Sequence, residues 1–261
     1  MSSLEAMTLK APRHLFKLLG RIERAAAHAQ GKGYDEVTIE REVKLLQSAL
    51  TTRPRLAIDV GGNIGDYTAE LRRQNPNLEI HTFEPSVTNI DKLKSRFKGD
   101  KLFNLAPFAL SDLAGSTTLY SNEPGSGMGS LTQRTLDHLN IAFETTESIK
   151  TLRFEDYWFQ ELQNRPIDLV KIDVEGHELK VLRGFGKALW ATQAVQFEFG
   201  GTDIDSRTFF QDFWRLFKES EFSVFRFTPF GLQAISEYSE SHECFAFTNF
   251  VAVNQRQIHP D

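Results

Sequence analysis

Arg55-Leu56-Ala57-Ile58-Asp59-Val60-Gly61-Gly62-Asn63-Ile64-Gly65-Asp66-Tyr67-Thr68 is the stretch that decides the fold. An apolar run ends on an acid, a glycine turn follows, and residues 67–74 form a helix stopped by Asn75-Pro76. Working outward, residues 79–84 read as a second strand and 88–97 as a second helix. Residues 101–110 read as a third strand, less regular because Pro107 cannot donate to a ladder. This β-α-β-α-β order predicts a parallel sheet with helices on both faces. Right-handed crossovers then gather the carboxyl ends of the strands on one edge, where ligands bind.

Downstream, residues 115–120 read as a turn and short strand, and 123–130, with Pro124, Gly125, Gly127 and Gly129, as a mobile loop. Two more strand-helix units centre on 167–173 and 194–199. Residues 223–227 and 244–253 read as an antiparallel hairpin around Pro229 that closes the sheet. Phe209, Phe213 and Phe217 with Leu216 have the spacing of an amphipathic helix, and core packing is the expected role of the phenylalanine-rich carboxyl-terminal third. The expected fold is α/β and doubly wound, with a mainly parallel seven-stranded sheet, a carboxyl-terminal antiparallel hairpin and an amino-terminal helical extension. The expected division is residues 1–52 for the extension and 53–261 for the sheet domain.

Upstream, Leu15, Leu18, Leu19, Ile22 and Ala26 recur at helical spacing after Pro12, and Gly31-Lys32-Gly33 ends that helix. Lys10, Arg13, Lys17, Arg21, Arg24 and Lys32 outnumber Glu5 and Glu23 there. The expected arrangement packs this helix on the main domain; the alternative rests it on an anionic membrane or a protein partner. A second helix is expected over 36–50, broken by Thr51-Thr52-Arg53-Pro54.

The chain has 261 residues, 40% hydrophobic and 25% charged, enough to bury a large core without staples. A net charge of -5 offers no global basic field for nucleic acid. The single cysteine, Cys244, excludes an intrachain disulfide and reads as a buried thiol in an apolar run. No apolar run approaches the roughly 18 residues that span a bilayer, and no secretory leader is recognisable, so a cytoplasmic protein is expected.

The turn does not fit the dinucleotide spacing Gly-x-Gly-x-x-Gly, and no Gly-Lys-Ser/Thr follows as in a phosphate loop. Asp59 would repel a pyrophosphate but would favour the ammonium or sulfonium of S-adenosylmethionine. Glycines let backbone approach a ligand, though they serve a merely tight turn equally well. Glu84, at the end of the next strand before Pro85, is placed to accept ribose hydroxyls.

With these residues in register, the chain resembles the FkbM-type family of class I S-adenosylmethionine-dependent methyltransferases. The resemblance rests on residues 58–68, on Phe83-Glu84-Pro85-Ser86, on Ala109-Leu110-Ser111-Asp112, and on the distinctive run 168–184. It covers about residues 56–253; one departure is Gly62, where the family more often has alanine. The resemblance implies S-adenosylmethionine as cofactor, with the turn Asp59, Gly61, Gly62, Asn63, Gly65 at its methionine end, Glu84 and Pro85 at the ribose, and Ser111 and Asp112 near adenine. Asn63 and Thr68 are candidates for the cofactor carboxylate near a helix amino terminus, although both residue types also serve as plain caps.

In Asp168-Leu169-Val170-Lys171-Ile172-Asp173 a lysine interrupts what should be an apolar central strand, so a carboxylate partner is expected, Asp173 or Glu175. Asp173, Glu175 and His177 should then cluster at the cofactor edge. An alcohol acceptor must lose a proton; His177 is the first choice of base, with Asp173 or Glu175 orienting it or acting instead. The other reading makes His177 a helix cap and pairs the acids with Lys171. Magnesium held by Asp173 and Glu198 is weighed and set aside, and no metal is expected. The expected acceptor is a small molecule or glycan, such as a sugar or specialised metabolite, methylated on a hydroxyl. The rival readings are a nicotinamide-dependent oxidoreductase and a non-catalytic scaffold recruited through its basic helix.

Overall fold

The computed structural model describes residues 13–34 and 38–258. Lys10, Glu5 and the start of the expected helix at 36 and 37 lie outside the described residues. In chain order, helices α1 (Arg13–Ala29) and α2 (Ile39–Ser48) precede β1 (Leu56–Val60), α3 (Asp66–Gln74), β2 (Glu79–Phe83), α4 (Val87–Arg96) and β3 (Phe103–Ala106). Then come β4 (Ala109–Leu110), β5 (Gly115–Ser121), β6 (Thr145–Leu152), α5 (Phe154–Gln160), β7 (Ile167–Ile172), α6 (Glu178–Phe185) and β8 (Thr192–Phe199). The chain finishes with α7 (Thr202–Ser206), α8 (Phe210–Glu219), β9 (Phe222–Thr228), β10 (Gly231–Ile235), β11 (Thr248–Asn254) and α9 (Gln255–Ile258).

The main sheet runs β10-β9-β11-β8-β7-β1-β2-β3. The pairs from β8 to β3 are parallel, and β11 enters antiparallel between β8 and β9. The doubly wound α/β fold is therefore as expected, with eight strands rather than seven. The extra edge strand is β10, which forms the hairpin with β9 across Pro229-Phe230. The expected hairpin partner, 244–253, is instead a separate return strand starting at Thr248. Cys244 to Phe247 are irregular, and Cys244 is only half-buried.

The expected third strand splits at Pro107. Residues before it complete the main sheet, whereas β4 joins a second, three-stranded sheet in the order β4-β6-β5. Pro107 has no N–H to continue a ladder, and Phe108 N–H turns back onto the Ala106 carbonyl at 2.9 Å. This small sheet helps to wall the site. Glu147 of β6 accepts the Ser86 hydroxyl (2.9 Å) and the Val87 N–H (3.1 Å), capping α4 from a distance.

One face of the main sheet carries the larger core. Ile58, Val60, Val170, Ile172, Val195 and Phe197 meet Leu179, Leu182 and Phe185 of α6 and Phe210, Phe213 and Phe217 of α8. Truncating one such phenylalanine costs about 3–5 kcal/mol. Phe209 does not join them; it stands at the α8 N-cap and is exposed. On the other face, Val43 and Leu46 of α2 and Leu71 of α3 cover Ala57, Ile80, Leu169 and Ala194. Thr38 caps α2, its hydroxyl accepting the Arg41 N–H at 3.3 Å.

Helix α1 departs from expectation. Leu15, Phe16, Leu18, Leu19 and Ile22 are 42–57% exposed, so its apolar stripe is not packed on the domain. The chain after it is fastened instead: the Gly33 N–H donates to Thr248 Oγ1 (3.2 Å), and Tyr34 is buried.

Candidate active site

The site is assembled where the turn after β1 meets the turn after β7. The N–H groups of Gly61 and Gly62 both donate to the Phe83 carbonyl at 3.0 Å, laying the first turn against the end of β2. Gly61 has φ +87°, and a Cβ there would sit 1.8 Å from the Asp173 carbonyl oxygen. Only glycine allows both the backbone conformation and this approach.

Glu84 sits under that turn. Its Oε2 accepts the Asn63 N–H at 2.8 Å and its Oε1 the Ser86 N–H at 2.9 Å. Burial pushes its carboxyl up to about 7 against the pull of those two bonds. Asn63, in a left-handed conformation (φ 45°), accepts from Asn89 Nδ2 at 3.1 Å.

The second turn is organised by Glu178. Its carboxyl accepts the Val174 N–H (2.8 Å) and the Gly176 N–H (2.9 Å), and burial, with Asp203 nearby, holds its pKa far above the ordinary range. Glu175 is left-handed (φ 57°), a conformation that costs a residue with a Cβ. The Ser130 hydroxyl holds its carbonyl at 2.7 Å, and buried Arg134 bridges its Oε2 (3.0 Å) and Asp205 (3.2 Å). Burial first, and then the charge of Asp173, raise Glu175 to about 7, against Arg134 and Lys171.

His177 stands at the N-cap of α6 without a side-chain capping bond. Its Nε2 lies 2.9 Å from Ser111 Oγ, which donates to Asp112 Oδ1 at 3.0 Å. Because the serine proton goes to the carboxylate, the network assigns the imidazole hydrogen to Nε2. Burial, helped by Lys180, lowers its pKa to about 4, so at neutral pH the ring is a weaker base than Glu175.

Gly61, Asn63, Glu84, Pro85, Asp173, Glu175 and His177 line one cavity, with Phe108, Leu110, Leu119 and Leu131 as its apolar wall. That mixed apolar and polar lining suits a small-molecule site. A second opening shares Gly61, Asn63 and Asp173 with the first and adds Gly62, Glu42, Tyr67 and Lys171.

Beneath both lies a polar row across the sheet: Gln196, Lys171, Asp59 and Thr82 are in register on β8, β7, β1 and β2. Lys171 pairs with Asp173 (3.0 Å), one of the two expected partners, and lies 4.8 Å from the Tyr67 ring centre. Burial opposes its charge, but Asp173, Asp59 and Glu42 outweigh that and keep it protonated. The Tyr67 hydroxyl donates to Gln196 (2.7 Å), whose amide donates to Glu42 (2.9 Å) and Asn249 (3.0 Å).

Asp59 lies in this row, beneath the cavity and not on its wall. Its Oδ2 accepts the Thr68 hydroxyl at 2.6 Å, while Oδ1 is buried without a hydrogen-bond partner. Thr68 is likewise committed, to Asp59 and Thr82. Gly65 packs on Leu93 and Phe97. Ser111 and Asp112 stand behind Phe108-Ala109-Leu110, which supply the wall itself. Glu198 is close enough to Asp173, Glu175 and Glu178 for burial and their charges to keep its pKa far above the usual range. No group of three or more His, Cys, Asp or Glu able to hold a metal occurs among the described residues.

Arg134, Glu178, Glu42 and Gln196 are contributors that sequence patterns did not single out. Glu178 alone had a local signal, an acid in the first turn of a helix behind a glycine turn.

The family profile of the methyltransferase FkbM domain matches residues 59–224. Methyltransferase 1 of Beauveria bassiana (strain ARSEF 2860) is 27% identical over 150 residues, which cover 51% of this chain and 59% of that protein. The 2-O-methyltransferase NoeI of Sinorhizobium fredii (strain NBRC 101917 / NGR234) is 26% identical over 157 residues, covering 56% of this chain and 64% of that protein. The chain thus spans less than two thirds of either relative's length. Among solved structures, the Methanococcus jannaschii fibrillarin pre-rRNA processing protein superposes with a TM-score of 0.46 at 8% identity, over 83% of this chain and 76% of that one. The O-methyltransferase from Bacillus cereus in complex with SAH gives 0.43 at 13% identity, over 95% of this chain and 94% of that one. Overlaps this weak do not bear on ligand or acceptor.

Proposed function

The chain belongs to the FkbM methyltransferase family, and from that premise we propose that it transfers a methyl group from S-adenosylmethionine to a hydroxyl oxygen of a small-molecule or glycan acceptor. The observation that carries this reading is the single cavity walled by both Glu84 and Glu175, two carboxyls pushed up to about 7 at the ends of different strands.

The cavity fits the methyl donor on its own chemistry. Glu84 offers a carboxylate for a ribose diol, the Gly61 turn brings bare backbone to the wall, and Phe108, Leu110, Leu119 and Leu131 make an apolar slot for a base. Asp59 and Asp173, near the turn, supply negative charge that suits a ligand bearing an ammonium and a sulfonium. Asp59 acts from below, as a positioning residue that fixes Thr68 and balances Lys171.

When bound, S-adenosylmethionine supplies an electrophilic methyl group on a sulfonium. Glu175 is the group that takes the proton from the acceptor hydroxyl. A base works best with a pKa near the working pH, and Glu175 has one, whereas His177 sits at about 4. Arg134 holds the carboxylate in place, and Ser130 holds the backbone of the same residue. His177 then positions Ser111 and Asp112 behind the slot. The oxygen acceptor is supported by the name of the S. fredii relative, a 2-O-methyltransferase.

The test is transfer from donor carrying a deuterated methyl group to a panel of sugars and hydroxylated aromatics, read by mass spectrometry. A labelled methyl ether with wild type, and none with Glu175→Gln, is the expected result. Transfer only to nitrogen or carbon acceptors would overturn the oxygen assignment.

A further inference from the structure

Helix α1 presents a surface that the site does not use. At 100° per residue, Leu15, Leu18, Leu19 and Ile22 fall within an arc of about 100°, and Lys17, Arg21 and Arg24 within an arc of about 60° centred about 140° away. Phe16 stands on the flank of the apolar arc, as does Glu23, the one acid of the helix. All five large apolar residues are about half exposed. At its carboxyl-terminal end the helix meets the body, where His28 meets the Tyr34 ring edge-on (centroids 5.1 Å apart) and Gly33 is bonded to β11.

From this we propose that α1 lies in the surface of an anionic lipid bilayer, apolar arc inward and cations toward the headgroups. Charge complementarity selects this occupant. The chain carries a net charge of -5, yet the polar arc of α1 is cationic throughout its centre, where an ordinary solvated face mixes both signs. A second copy of the helix fits the apolar arc less well. Seventeen residues hold little more than two heptads, short of the three to four a stable coiled coil needs, and pairing leaves the cations without a counterpart. No helix among the described residues is long and apolar enough to cross a membrane, so the contact is peripheral.

Each cation at an anionic surface contributes about fivefold to binding, so Lys17, Arg21 and Arg24 together contribute roughly a hundredfold. The experiment is cosedimentation of the full chain with phosphatidylcholine vesicles containing or lacking about a third phosphatidylserine. Wild type should pellet with the anionic vesicles and stay in solution with the neutral ones. Leu18→Asp/Leu19→Asp should abolish pelleting, and Lys17→Gln/Arg21→Gln/Arg24→Gln should reduce it by roughly a hundredfold. These positions are exposed, so both variants should keep wild-type circular dichroism and melting temperature. Failure of folded wild type to pellet, or pelleting untouched by either variant, would overturn the proposal. So would a dimer by sedimentation equilibrium that Leu18→Asp/Leu19→Asp dissociates while no vesicle binding is seen; the second copy would then be the occupant.

Discussion

Glu84 and Glu175 reach the same charge state by different routes. Glu84 is nearly sealed, one oxygen is tied to the Ser86 N–H of its own turn and the other to the Asn63 N–H of the turn after β1, and burial, with a smaller push from Asp59, raises it against those bonds. Glu175 is raised by burial and by the neighbouring charge of Asp173, sits in a strained left-handed backbone, and leans on an arginine from a distant loop. A carboxyl fixed by backbone N–H groups from two turns is suited to hold a ligand. One balanced between a like charge and the counter-charge of a buried arginine is suited to exchange a proton. The difference agrees with the proposed roles, one at the donor and the other in the chemistry.

The strongest way to break this division is Glu175→Gln. Loss of a general base should lower kcat by about 10²–10⁴, with donor affinity changed less than about threefold. An equal loss of affinity would erase the distinction.

Next in size is stability. A carboxyl whose pKa rises from 4.5 unfolded to about 7 folded gives stability that is complete below 4.5 and lost as pH rises through 7. Glu84→Gln removes that dependence. Between pH 5 and pH 8 the variant should therefore gain up to about 3 kcal/mol relative to wild type, read by chemical denaturation in donor-free buffer. A constant difference across the range would mean that Glu84 is not raised.

Arg134 sharpens the comparison from the other side. Arg134→Gln removes a charge that lowers Glu175, so the rising limb of the kcat profile should move to higher pH by about one unit. The smallest effect is proton release. Binding a cationic donor should drive Glu84 to its carboxylate, releasing about half a proton at pH 7, visible as buffer-dependent calorimetric enthalpy and absent in Glu84→Gln.

The two carboxyls also differ in how legible they were. Glu84 could be read directly, because a strand end, a following proline and a glycine turn upstream are all local signals. The parallel sheet was readable for the same reason: β1, β2, β7 and β8 announce themselves as apolar runs between helical patterns. The cluster of Asp173, Glu175 and His177 was also visible, but not the ranking of bases, which depends on Arg134 from the loop between β5 and β6 and on the Ser111-Asp112 pair behind His177. Such partners are set by tertiary contact and leave no periodicity. The division of residues 101–110 between two sheets follows from Pro107, whose missing N–H shows in the sequence as irregularity and not as a boundary. For α1 the segregation of charge was on view, yet only the exposed stripe decides between packing and a surface role.

The central claim is that the cavity under the Gly61 turn binds the methyl donor through Glu84. Isothermal titration of S-adenosylmethionine into wild type and Glu84→Ala tests it most directly. Loss of charge-assisted hydrogen bonds to a diol, about 1.5–3 kcal/mol each, should weaken binding at least tenfold in the variant. No binding to wild type, or equal affinity in both proteins, would contradict it.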